Sequence, residues 1–282
     1  MIIKEVFAAV NKRIKSFYRK RHTVITANIM LSSPSEVLKG RNIIITGGSK
    51  GLGFYIAKKC IDEGANVLIT GRNIDSLKKS ASQLGEQCKY AQLDMCDTKR
   101  INGFFENAER IMNCEKIDSV VGNAGITILE NSFLNVTEDS WDKQMSINLK
   151  GNYFFVQKFA EYLYQKPDTY GNIVLVASER GLRTAEIPYD LSKNALKSFV
   201  QGVSSSLYKK NIRINAVAPG TCATDLEKCE EEANIFCHYQ INQRLYRPEE
   251  VAEVINFLLS DFSSCISGEV IACDNGNYIT KW

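Results

Sequence analysis

From Asn42 onward the chain alternates short, β-branched apolar runs with longer segments whose apolar residues recur at helical spacing. The runs are Asn42 to Thr46, Asn66 to Thr70, Lys89 to Leu93, Ser119 to Val121, Asn172 to Ala177, Arg213 to Val217 and Val270 to Cys273. Continuous apolar runs suit strands covered on both faces, and the helical patterns between them supply the crossovers that parallel pairing requires. The pattern predicts an α/β fold over residues 41–282: a single-domain, doubly wound parallel sheet with helices on both faces.

The first 22 residues read differently. Ile3, Val6, Phe7, Val10, Ile14, Phe17 and Tyr18 fall at helical spacing with Lys12, Arg13, Lys15, Arg19, Lys20 and Arg21 largely between them, the pattern of a basic amphipathic helix. Residues 1–40 therefore form an N-terminal basic extension with three readings: an arm that packs on the body or stays disordered, a peripheral contact with an anionic membrane, or a mitochondrial targeting segment. A secretory signal is disfavoured because the stretch from Thr23 to Leu31 is short and interrupted by Asn28. No uncharged apolar run reaches the roughly 18 residues of a membrane span, so none is expected.

Charge and cysteine usage narrow the picture further. The net charge of +3 hides an asymmetry: residues 1–41 hold nine Lys or Arg and two Glu, leaving 26 basic and 30 acidic residues in the remainder. Nothing in the folded body points to nucleic acid as a partner. Nine cysteines with no Cys-x-x-Cys pair, and only two histidines, fit free buried thiols in a reducing, cytoplasmic compartment rather than a disulfide framework or a metal site.

Directly after the first apolar run comes Thr46-Gly47-Gly48-Ser49-Lys50-Gly51-Leu52-Gly53, and a helical pattern through Ile56, Cys60 and Ile61 follows it. Glycines in a strand-to-helix turn let the backbone approach a pyrophosphate, and the helix N-terminus offers free N–H groups and a positive dipole. About 18 residues past Gly53, where an NAD-selective site carries an acid for the ribose hydroxyls, the chain reads Thr70-Gly71-Arg72-Asn73. Arg72 can clamp a 2′-phosphate with its planar fork and Lys50 can add a second positive charge, which favours NADP(H). Read blandly, both are solvated surface charges.

Tyr189 and Lys193 stand four apart, on one face of a helix. An unperturbed phenol titrates near 10, and a neighbouring ammonium favours its ionised form, which suits acid–base work at neutral pH. Ser178 ends an apolar run and so belongs at the carboxyl edge of the sheet, where it can hold a substrate oxygen or simply cap a turn. Asn148 sits inside a long helical pattern from Trp141 to Phe159, where an asparagine has modest propensity.

With these residues in place the chain resembles the short-chain dehydrogenase/reductase superfamily, in the compact branch that includes 3-oxoacyl-carrier-protein reductases, over residues 41–277. Thr46, Gly47, Gly51 and Gly53 match its Thr-Gly-x-x-x-Gly-x-Gly turn. Asp94 matches the acid that contacts the adenine amine, and Asn123-Ala124-Gly125 matches its Asn-Ala-Gly element. Asn148, Ser178, Tyr189 and Lys193 match the catalytic tetrad, while Pro219, Gly220 and Thr224 match the loop that meets nicotinamide and pyrophosphate.

The resemblance implies hydride exchange between NADP(H) and a small-molecule carbonyl or secondary alcohol. In it Ser178 holds the substrate oxygen, Tyr189 gives or takes the proton, Lys193 binds the nicotinamide ribose and lowers the tyrosine pKa, and Asn148 anchors a relay water. It also implies a substrate lid at about 225–246 and allows a dimer or tetramer through the helices bearing Asn148 and Tyr189. Departures are Gly122 in place of a second Asn, Asn275 in place of a Gly, and a Ser178–Tyr189 loop a residue or two short. Two alternatives stay open beside a reductase: an oxidative alcohol, steroid or sugar dehydrogenase, and a non-catalytic NADP-binding sensor or scaffold. The lid's Glu227, Glu230, Glu231 and Glu232 weigh mildly against a strongly anionic substrate unless they are a solvated face, and Cys222, Cys229 and Cys237 near it raise the question of oxidant sensing.

Overall fold

The computed structural model describes residues 35–128, 130–224 and 234–279. The amphipathic segment 1–22 and lid residues 225–233, with Glu227, Cys229, Glu230, Glu231 and Glu232, lie outside the described residues.

Seven strands form one parallel sheet: β1 (Asn42–Thr46), β2 (Asn66–Gly71), β3 (Cys88–Gln92), β4 (Ser119–Gly122), β5 (Gly171–Val176), β6 (Ile212–Pro219) and β7 (Val270–Cys273). Their order is β3-β2-β1-β4-β5-β6-β7, every pair parallel. All seven apolar runs are strands, with ends shifted by no more than two residues. The crossovers are α1 (Gly51–Asp62), α2 (Ile74–Leu84), α3 (Phe104–Met112), α4 (Glu138–Met145), α5 (Asn152–Tyr164), α6 (Pro188–Tyr208) and α7 (Pro248–Leu259).

The apolar runs are continuous because successive side chains enter two different cores. Ile44, Leu68, Ile173, Leu175 and Ile214 pack with Phe105, Phe155, Phe159 and Leu196 on one face of the sheet. Ile43, Ile45, Val67, Ile69, Val174 and Val217 pack with Ile56, Leu77, Val251 and Ile255 on the other. Polar alternation would place half of each strand's side chains, the polar ones, in one of these cores.

Local signals set the helix starts. Asn73 Oδ1 accepts from Ser76 N at 2.8 Å at the head of α2, and Thr137 with Ser140 closes a capping box at the head of α4. Proline opens both α6 and α7, where a missing N–H costs nothing. The long pattern around Asn148 is helical throughout but not uniformly α: Ser146–Gly151 is a π segment between α4 and α5. Such wide turns concentrate at functional sites. The strand order reverses between β1 and β4, and the crevice above their carboxyl ends is where open α/β sheets hold ligands. Among the described residues no helix is long and apolar enough to cross a membrane.

Candidate active site

The glycine-rich turn leaves β1 and enters α1 at this crevice. Gly47 has φ +67, and a Cβ on it would lie 3.0 Å from Asn123 Nδ2 and 3.1 Å from Ala124 Cα. A Cβ on Gly53 would lie 2.3 Å from the Gly47 carbonyl oxygen, so only glycine lets the turn fold back onto the start of α1. Lys50 precedes α1 in extended conformation, without a side-chain cap and with no acid in the first turn. The first amides of a 12-residue helix therefore lack a side-chain acceptor and face the crevice at the positive end of the dipole. A pyrophosphate fits this cradle.

The other nucleotide-side residues gather around it. The Ser49 carbonyl accepts from Ser80 Oγ at 2.7 Å, and Leu52 packs partly buried on the core. A Cβ on Gly51 would meet Thr224 Cβ at 3.4 Å, which brings the segment after β6 over the turn. Pro219 ends β6, and Gly220 N donates to the Cys273 carbonyl at 3.0 Å. Arg72 follows β2; its carbonyl accepts from Gln92 Nε2 at 2.7 Å, while its guanidinium and the Lys50 ammonium are in no ion pair among the described residues. Asp94 follows β3 and accepts from Cys96 N at 3.0 Å.

Thr46 and Asn123 tie β1 to β4 across the switch point. Thr46 Oγ1 accepts from Asn123 N and Ala124 N, both at 3.0 Å, and Asn123 Nδ2 donates to the carbonyls of Thr46 at 2.9 Å and Gly47 at 3.2 Å. The loop beyond meets Asn148, fully buried in the π segment, whose Oδ1 accepts from Ile126 N and whose Nδ2 donates to Ile126 O, each at 2.8 Å. Asn148 Nδ2 also donates to Ser192 Oγ at 3.2 Å, which in turn donates to the Tyr189 carbonyl at 2.7 Å. The Asn148 side chain thus joins the loop after β4 to the helix bearing Tyr189.

Ser178 follows β5 and does two things at once. Its Oγ accepts from Arg180 N at 3.2 Å, capping the turn Glu179–Leu182, and its hydroxyl lies close enough to the Tyr189 phenol to lower its pKa. Tyr189 lies in the first turn of α6 and Lys193 one turn on, with the Lys193 Nζ 5.9 Å from the phenol ring centroid. Desolvation pushes the Tyr189 phenol above its usual range; the neighbouring Ser178 hydroxyl and the Arg180 charge pull it back, and Asp190 adds to the rise. Lys193 is 4% exposed, donates to the Val176 carbonyl at 2.7 Å, and is brought down by burial to about 8. A Cβ on Gly125 would lie 3.2 Å from Asn148 Oδ1 and 3.5 Å from Lys193 Nζ, so three of the sequence-selected groups converge at one point.

Several contributors carry no sequence signal of their own. Arg180 grips Asp190 through Nε–Oδ1 at 2.5 Å and Nη2–Oδ2 at 2.9 Å, bracing the first turn of α6. Glu179 accepts from Asn277 Nδ2 at 2.8 Å and from Gln240 Nε2 at 3.3 Å, which ties the segment after β6 to the serine's neighbour. Glu186, in the short loop before Tyr189, accepts from Phe133 N at 3.0 Å and so closes that loop onto the segment after β4. Asn275 takes φ +52, a left-handed conformation that asparagine tolerates in place of the expected glycine. Burial pushes the Cys222 thiol up to about 12, so at neutral pH it stays protonated and unreactive. The eight cysteines among the described residues are all free, and no group of metal-ligating side chains occurs among those residues.

A family model described as enoyl-(acyl carrier protein) reductase matches residues 27–277. The 3-oxoacyl-(acyl-carrier-protein) reductase of Thermotoga maritima is 34% identical over 246 residues, covering 85% of this chain and 98% of that protein. The L-rhamnose 1-dehydrogenase (NADP(+)) of Thermoplasma acidophilum is 31% identical over 251 residues, covering 86% of this chain and 97% of that protein. Among solved structures, a putative short-chain alcohol dehydrogenase from Sinorhizobium meliloti superposes with a TM-score of 0.76 at 25% identity, covering 86% of this chain and 98% of that one.

Proposed function

This chain belongs to the short-chain dehydrogenase/reductase superfamily, and from that premise we propose that it reduces a small-molecule carbonyl with NADPH as cofactor, Tyr189 supplying the proton. The observation that carries the reading is the half-buried Tyr189 phenol beside Ser178, one helical turn from the buried Lys193, whose Nζ lies 5.9 Å from its ring centroid. The NADP preference read from Arg72 and Lys50 favours reduction over oxidation as the working direction.

The glycine-rich turn would hold NADPH, which when bound would supply the hydride for the carbonyl carbon. The protein's groups do the rest. Ser178 donates a hydrogen bond to the carbonyl oxygen and stabilises the charge that gathers there. Tyr189 passes its proton to that oxygen, completing the O–H bond of the alcohol, and the Lys193 ammonium stabilises the phenolate left behind. Arg72 and Lys50, exposed and outside any ion pair among the described residues, would meet a 2′-phosphate, and Asp94 the adenine amine. The proposed setting is cytoplasmic, supported by the free cysteines.

Steady-state turnover of NADPH against ketones, β-keto thioesters, quinones and sugars, for the natural chain and Tyr189→Phe, tests this reading. Turnover is expected to fall by at least about a thousandfold in the variant, the upper range for losing a positioned proton donor, with NADPH affinity changed less than about threefold. Equal turnover in the two proteins removes Tyr189 from the mechanism. Tight NADPH binding without turnover in the natural chain favours a sensor.

A further inference from the structure

The loop that leaves β4 passes along the face of the helix that carries Asn148. Three side chains on that face stand four residues apart, Gln144, Asn148 and Asn152, and all three are amides with no solvent exposure. Gln144 Oε1 accepts from Ile128 N at 3.0 Å. Asn148 holds both main-chain groups of Ile126. Asn152 Nδ2 reaches the Ala124 carbonyl at 3.5 Å. Residues 144, 148 and 152 thus meet residues 128, 126 and 124 in turn.

The match follows from chain geometry. Four helical residues advance about 6 Å and two extended residues about 6.6 Å, so an amide at every fourth helical position meets the main chain at every second position of an antiparallel extended strand. Asn152 also closes the π segment, donating to Asn148 O at 2.9 Å and Ile147 O at 3.5 Å. The side chain fits because residue 122 has none: a Cβ there would lie 2.5 Å from Asn152 Oδ1. Gln144 Nε2 extends the row by donating to Glu130 Oε1 at 3.0 Å.

We propose that Gln144 and Asn152 are positioning residues that, with Asn148, form a ladder of three buried amides fixing the loop 123–128 against the helix that carries Asn148. The two ends of the ladder serve different sides of the site. The Asn152 rung adjoins Asn123 and Ala124, which are bound to the glycine-rich turn, so it sets the cofactor side. The Gln144 rung adjoins Ile128 and Glu130, beyond Gly125, so it sets the substrate side. This assignment of sides rests on the reductase reading; the ladder itself does not.

The test uses the full chain with Gln144→Met and Asn152→Leu, near-isosteric changes that delete the hydrogen bonds, and with Gln144→Ala and Asn152→Ala should either of the first pair fail to fold. Residue-resolved amide exchange of the cofactor-free protein reads the ladder directly. Exchange at Ile128 is expected to quicken about tenfold without Gln144, the loss of one buried hydrogen bond, and exchange across 123–126 to quicken similarly without Asn152. In the enzyme, loss of Gln144 raises the substrate KM about tenfold with NADPH affinity held within twofold, and loss of Asn152 weakens NADPH about tenfold. Exchange unchanged within twofold in both variants overturns the ladder. Equal losses in KM, kcat and NADPH affinity in both variants, after normalising to folded protein, overturn the division of roles. A natural chain without turnover sinks the reductase reading while the exchange data still decide the ladder.

Discussion

Lys193 is a cation kept where cations are costly, and removing it should stabilise the protein while abolishing turnover. Burial lowers its pKa from 10.5 to about 8. At about 1.4 kcal/mol per pH unit, holding it charged in the folded state costs about 3 kcal/mol at neutral pH. Lys193→Met removes that cost but leaves the Val176 carbonyl, now 2.7 Å from the ammonium, without its donor, a loss of about 1–2 kcal/mol. The net gain is about 1–2 kcal/mol, which for 282 residues corresponds to a Tm about 2–3 °C higher.

The pH dependence carries the sign of the argument. Below pH 8 the lysine is protonated in both folded and unfolded chains, so the cost is constant and the variant's advantage is full. Between 8 and 10.5 the unfolded chain holds a proton that the folded chain has released, so the natural protein gains stability as pH rises and the difference shrinks. Tyr189, whose raised pKa acts in the opposite sense at the alkaline end, is present in both proteins and largely cancels. Thermal melts of the two proteins from pH 6 to 10 measure this. A variant that melts below the natural protein throughout, or a difference that does not move with pH, refutes the reasoning.

Two further outcomes follow from the cofactor cradle. Arg72→Ala is expected to weaken NADPH by about ten- to a hundredfold, the worth of a bidentate phosphate contact, and to leave NADH within about twofold; equal loss for both cofactors in a fluorescence titration would remove Arg72 from the 2′-phosphate. Gly53→Ala places a Cβ 2.3 Å from the Gly47 carbonyl oxygen, so the turn must open, with a stability loss of about 1–3 kcal/mol in urea melts and NADPH binding lost beyond detection.

The sheet was legible because its chemistry is redundant. The central strands are buried on both faces, so successive residues of Ile43–Ile45 or Ile173–Val176 repeat the same apolar signal, and turn glycines punctuate it. The Gly-rich turn and the Ser178, Tyr189 and Lys193 set were legible because each residue type at its spacing has a chemical use. What could not be seen was how the pieces are held. Arg180 braces α6 by pairing with Asp190, ten residues away, and Glu179 meets Gln240 and Asn277 from two distant segments. No local periodicity encodes such pairs; only the topology brings them together.

The buried amides show a different kind of blindness. Gln144, Asn148 and Asn152 recur at four-residue spacing, which in a sequence reads as the solvent side of an amphipathic helix. All three are instead fully buried, because the surface they face is main chain rather than apolar side chains. The half-buried loop after β4 covers this helix face and brings N–H and C=O groups that, turned inward, cost about 1–3 kcal/mol each if left alone. An amide carries one donor and one acceptor function on a short rigid stem, so it can meet either need without introducing a charge. The same polar stripe therefore means solvent when the helix lies at the surface and main chain when a loop covers it. What separates the two in this chain is a second sequence feature: Gly122, which opens space opposite Asn152 and would have no reason to sit at the end of a buried strand if that helix face were wet.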